Sequence, residues 1–106
     1  MKFAKIIFVG GAKMNYKKLV EIMGHEKQLD KCLEEVIEFL EVLIKLKTKN
    51  KFNKNKIIEE MAHVYMVFRS LKIMFNISEN NIQNEILWKE RLLMNRYPEL
   101  INDKNE

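Results

Sequence analysis

One proline, three glycines and a single cysteine are all that this 106-residue chain carries of the residues that punctuate or staple a fold. So little turn-forming material argues against a sheet protein. The lone Cys32 excludes a disulfide framework. It falls inside an apolar helical pattern, and a reducing, cytoplasmic setting is expected. Arginine is scarce as well, with Arg69, Arg91 and Arg96 set against sixteen lysines. Long uncharged stretches are missing too. The apolar run from Phe3 to Ala12 is too short to cross a bilayer and makes a poor signal peptide, so no membrane partner is expected.

What is abundant is Leu, Ile, Met, Glu and Lys. A hydrophobic fraction of 47% in a chain of this length supports one modest core and no second domain. The composition reads as all-α. A net charge of +4 and a pI near 9.2 invite a nucleic-acid partner. The lysine bias weakens that reading, because lysine lacks the forked guanidinium that reads guanine edges. Eleven Asn and twelve Ile accompany the lysines, as AT-rich codons would give. Nucleic acid is therefore not expected as the partner.

Residues 1–13 stand outside the helical pattern. Ile6 to Val9 is β-prone but has no second strand to pair with, so this segment is either an apolar arm or an extension. Val9-Gly10-Gly11-Ala12-Lys13-Met14 can be encoded by a purine-rich ribosome-binding sequence, a spacer and a start codon, which suggests that translation begins at Met14. A short helix over 15–23 closes at Gly24. The next, over 25–47, places Leu29, Cys32, Leu33, Val36, Phe39, Leu40, Val42, Leu43 and Leu46 on a very wide arc. Such a helix needs cover from two sides, and in so short a chain the second cover is expected to be another subunit. Lys47 to Lys56, rich in Lys and Asn, reads as a loop. A third helix spans 55–75, with Ile57, Val64, Val67, Phe68, Leu71 and Met74 on its apolar stripe. Ser78 is a good N-cap for a fourth over 79–96, and Pro98 opens a frayed tail over 98–106.

Two acidic clusters stand on these helices: Glu34-Glu35-Val36-Ile37-Glu38 and, twenty-one residues after Glu38, Glu59-Glu60-Met61-Ala62-His63. Each holds an i,i+3 pair on one helix face, Glu35/Glu38 and Glu60/His63. The first could be a solvated stripe. Glu60 and His63 lie within the apolar stripe of Val64, Val67 and Leu71, where an unpaired carboxylate is costly. They require a metal, an ion pair or a polar partner across a dimer.

The pattern Glu-Glu-x-x-Glu, about twenty residues, then Glu-Glu-x-x-Asp on successive helices is that of the MazG-like nucleotide pyrophosphohydrolases. Residues 14–97 resemble the phage-type members. Gly24-His25-Glu26-Lys27-Gln28-Leu29 before the first cluster, and Phe75-Asn76-Ile77-Ser78-Glu79 before a helix bearing Lys89, Arg91 and Arg96, carry the likeness further. The resemblance implies a four-helix core completed as a homodimer or dimer of dimers. It implies Mg²⁺ on Glu35, Glu38, Glu60 and the residue at 63, and hydrolysis of a (deoxy)nucleoside triphosphate to monophosphate and pyrophosphate. Glu34 and Glu38 are then candidates to hold the attacking water. Lys56, Trp88, Lys89 and Arg91 are candidates to bind the nucleotide. At position 63 the family's usual Asp is His, a neutral ligand that shifts preference towards Mn²⁺ or another transition metal.

Two other functions use the same residues. One is a helical dimerisation or interaction module without chemistry. The other is a di-metal carboxylate redox bundle, in which a symmetric pair supplies Glu38 and Glu60-x-x-His63 twice. If Met14 is the start, intact protein from the native locus has a mass that excludes residues 1–13; a mass including them overturns that start.

Overall fold

The computed structural model describes residues 13–102 and is all-α; the apolar segment 3–12 and residues 103–106 lie outside the described residues. In order come α1 (Tyr16–Met23), α2 (His25–Lys49), α3 (Lys54–Met74), α4 (Glu79–Arg96) and a single turn of 3₁₀ helix, Pro98–Leu100. That turn falls within the tail expected to fray, and the proline at its start is already set for helical φ. No described helix is long and apolar enough to cross a membrane.

Caps account for the helix ends. Asn15 accepts a hydrogen bond from Lys18 N at 3.0 Å and starts α1. Gly24 serves both α1 and α2, at φ +81°, where a side chain would be strained. Its N–H closes α1 on Val20 O and its C=O accepts from Gln28 N, so one residue folds α1 back beside α2. The expected loop over 47–56 shrinks to residues 50–53. Asn50 takes the left-handed conformation (φ 52°) that ends α2, and Asn53 accepts from Lys56 N at 3.1 Å to begin α3. The lysine-rich composition hides two asparagine caps. Ser78 and Asn81 form a reciprocal capping box at the start of α4, worth about 1 kcal/mol.

The packed unit is α1, α2 and α3. Its interior is small: Val20, Cys32, Val67 and Met74 are the buried apolar residues, joined by Gln28, Glu60 and Ser70. Half of the apolar pattern therefore remains outside. On α2, Leu29, Leu33, Ile37, Leu40 and Ile44 are exposed and lie within an arc of about 80°. That arc is rotated roughly 120° from the inward stripe of Gln28, Cys32, Phe39 and Leu46. On α3, Met61, Tyr65 and Phe68 form a second exposed row; Phe68, expected inward, is 54% exposed. No residue of α4 is buried, and Trp88, Leu92 and Leu93 are all exposed. The start of α4 is tied to α3 by Lys72 Nζ, 2.7 Å from Glu79 Oε2. That contact, followed by Gln83, holds the Glu79 carboxyl below its usual range.

Candidate metal centre

Two contacts fix how α2 and α3 face one another. Gln28, near the start of α2, donates from Nε2 to Ser70 Oγ near the end of α3 at 3.0 Å. Two turns further along α2, Glu35 reaches His63, two turns back along α3, with Oε2 2.9 Å from Nδ1. The helices are antiparallel in this register. It turns the i,i+3 pair of each acidic cluster towards the other helix.

Glu35, Glu38, Glu60 and His63 each bring a ligand atom into one group, all within 4.8 Å of one another. Glu60 is the innermost, 1% exposed, and the other three are partly covered. The two lysines beside the cluster act on its outer oxygens. Lys31 Nζ lies 3.0 Å from Glu35 Oε1, and Lys56 Nζ lies 3.3 Å from Glu60 Oε1 and 3.4 Å from Glu59 Oε2. The hydrogen bond and charge of Glu35 hold Lys31 more firmly protonated, and Glu60 followed by Glu59 does the same for Lys56. The second oxygen of each carboxylate, Oε2, is left facing the interior.

Those interior atoms have no partner. Glu35 Oε2, Glu60 Oε2 and His63 Nδ1 are all buried without a hydrogen bond. The 2.9 Å approach of His63 to Glu35 is within ion-pair range but lacks hydrogen-bond alignment, and Glu60 Oε2 stands 3.7 Å from the same nitrogen. With its proton on Nε2, the imidazole presents a lone pair to carboxylate lone pairs. Something positive has to stand between them, either a proton on Nδ1 or a cation. Three carboxylates, only two of them offset by lysine, and one imidazole form a donor set for a divalent ion of the first transition row, and a carboxylate-rich one that also admits Mg²⁺. Cys32 does not extend it, because burial pushes its thiol up and keeps the proton on sulfur at neutral pH.

The remaining sequence candidates fall in two places. Glu34 is exposed and outside the four-residue group, and Lys56 stands at its rim. Trp88, Lys89 and Arg91 are exposed on α4, with Lys89 3.5 Å from Glu85 of the same helix, and within one chain none of them is brought to the cluster. Reading the clusters alone missed Lys31, Gln28 and Ser70. Gln28 and Lys31 lie seven and four residues before Glu35, and Ser70 lies seven after His63, spacings that place each beside the ligands.

Comparison of the chain with models of protein families, with curated proteins and with solved structures found no match. The site is therefore defined by its own geometry. Mn²⁺ at about a hundred times its Kd is expected to stabilise the protein by about 2.7 kcal/mol, measured as a rise in Tm. The rise disappears in Glu60→Gln, and Mg²⁺ produces a smaller one.

Proposed function

We propose that the chain is a divalent-metal-dependent nucleoside triphosphate pyrophosphohydrolase of the MazG-like kind, acting as a homodimer or dimer of dimers. The observation that carries this is the convergence of three buried, unpartnered atoms, Glu35 Oε2, Glu60 Oε2 and His63 Nδ1, with Glu38 in reach. Lysines 31 and 56 leave those atoms free by occupying the opposite carboxylate oxygens. A divalent ion held there supplies charge neutralisation for a triphosphate and polarisation of a water. Glu38, with Glu34 beside the group, holds the attacking water and takes its proton. The bond broken joins the α- and β-phosphates, and pyrophosphate leaves. Lys56 at the rim is placed for phosphate contact, at the expense of its exposed pairing with Glu59.

The second copy is supported by the apolar rows on α2 and α3 and by the absence of any buried residue on α4. Most helical stability in proteins comes from packing of an apolar face, and α4 buries no residue within its own chain. Matching rows on two copies would bury one another, and α4 carries Trp88, Lys89 and Arg91 outward from its own chain towards such a partner.

Pyrophosphate release from a panel of NTPs and dNTPs, with Mg²⁺ and Mn²⁺ compared, tests the chemistry. Glu38→Gln is expected to lower kcat by about 10²- to 10⁴-fold, and His63→Asp to raise Mg²⁺-supported turnover relative to Mn²⁺. No turnover by either wild type or His63→Asp overturns the hydrolase and leaves the interaction module. Bound iron with a visible absorption band supports the redox bundle instead. By sedimentation velocity at micromolar concentration the wild type is expected to be dimeric or larger, and Leu33→Glu with Ile37→Glu to shift it towards monomer; a monomeric wild type overturns the assembly.

A further inference from the structure

The hairpin of α2 and α3 ends in a concentration of charge that the metal centre does not account for. Of the nineteen Lys and Arg in the chain six stand between residues 45 and 56, and of the fifteen Asp and Glu none does, so the rest of the chain is net negative by two. The excess of positive charge is confined to one tip. α2 ends at Lys49 and α3 begins at Lys54, and the stretch from Lys45 to Lys49 covers only about 6 Å of helix axis. Lys45, Lys47, Lys49, Lys51, Lys54 and Lys56 are all exposed. Lys56 is occupied by Glu59 and Glu60, and none of the other five has an acidic partner among the described residues.

The tip is built rather than slack. Asn50 ends α2 in the left-handed conformation, Lys51 N donates to Lys45 O at 3.4 Å, and Asn53 caps α3. Phe52, in the turn between them, is 66% exposed and is the one apolar side chain from Lys47 to Lys56. Stability does not explain the charge. Lys45 and Lys49 are like charges one turn apart on α2, which repel. The first turn of α3 holds no acid, although the helix dipole favours acids there and opposes Lys54 and Lys56. A polyanion relieves both costs.

We propose that this tip binds single-stranded nucleic acid without sequence preference, its lysines on the phosphates and Phe52 stacked on a base. The scarcity of arginine argues against reading of base edges, and it leaves phosphate attraction open, since a point charge is enough for that. An exposed aromatic ring with lysines on both sides in sequence matches the platform on which an unpaired base stacks. A duplex keeps its base faces covered and offers that ring nothing. A membrane surface suits the tip less well, because interfacial anchoring uses a continuous apolar face, whereas Phe52 stands alone among Lys, Asn and Thr. Five of the six lysines lie outside the carboxylate cluster and its salt bridges, so this binding does not rest on the hydrolase.

Fluorescence anisotropy on the full chain tests the tip, with labelled oligothymidylate and oligouridylate of about 20 nucleotides as probes and EDTA present to keep metal out of the carboxylate centre. Binding is expected with a Kd between about 10⁻⁶ and 10⁻⁴ M near physiological salt, and with log K falling against log salt at a slope of about −3.5 for five lysines. Lys47→Gln, Lys51→Gln and Lys54→Gln together are expected to make that slope shallower by about 2. Removing the same charge elsewhere, by Lys17→Gln, Lys18→Gln and Lys27→Gln, is expected to change affinity less than two-fold. Phe52→Ala is expected to weaken single-strand binding by about five-fold or more, with the slope and the affinity for a duplex of the same length unchanged. Absence of binding at about 50 mM salt, equal weakening by the two lysine triples, or no effect of Phe52→Ala on the single strand overturns the proposal. So does capture of the chain by phosphatidylserine vesicles without affinity for either strand, which assigns the tip to a membrane surface. Whichever of the two strands binds more tightly names the nucleic acid.

Discussion

Glu60 sets the terms for the rest of the structure. An ionised carboxylate that is 1% exposed is stable only where every face of it meets a compensating charge or donor. Lys56, one helical turn before it, meets one oxygen, and the other faces His63 and, across the helix pair, Glu35. That demand fixes the register of α3 against α2, since sliding either helix by a residue would part Glu35 from His63 and strand Glu60 in the apolar stripe. Lys31 answers the same demand from α2. The lysines and the cluster together form one charge network in which the outer oxygens are already satisfied and the inner ones are not. A network left incomplete on its inner side is poorly suited to a purely structural role, because a fully satisfied pair or an apolar replacement would serve stability better.

The second constraint is geometric. A helix whose apolar residues fill two stripes cannot be covered by one neighbour, and α2 has such a pair of stripes. α1 and α3 cover the first of them. The second is exposed, and α4, from a capped start at Ser78, buries no residue. Within one chain the four-residue cluster is assembled, while the apolar rows on α2 and α3 are left uncovered.

Much of this was legible in the residues. The helix limits follow from Gly24, Ser78 and Pro98, and the ligand set follows from two i,i+3 pairs on apolar stripes. The shortened loop was harder, because asparagine capping and lysine-rich solvation share one composition, and only the backbone angles of Asn50 and the bond to Asn53 separate them. Phe68 was misplaced for a related reason: a wheel places a residue by angle, but cover depends on where the neighbouring helix ends. Gln28 and Ser70 carry no acidic or metal-binding signature, so their importance emerges only once α2 and α3 are laid side by side and the amide is found donating to the hydroxyl.

The four-residue link between α2 and α3, residues 50–53, has a kinetic consequence. All four ligands come from helices adjacent in the chain, so the contacts that build the centre have short sequence separation and close early and fast. α4 follows α3 and buries no residue within its own chain. Folding of the α1–α3 unit is therefore expected to be first order and complete as α3 emerges, without waiting for α4.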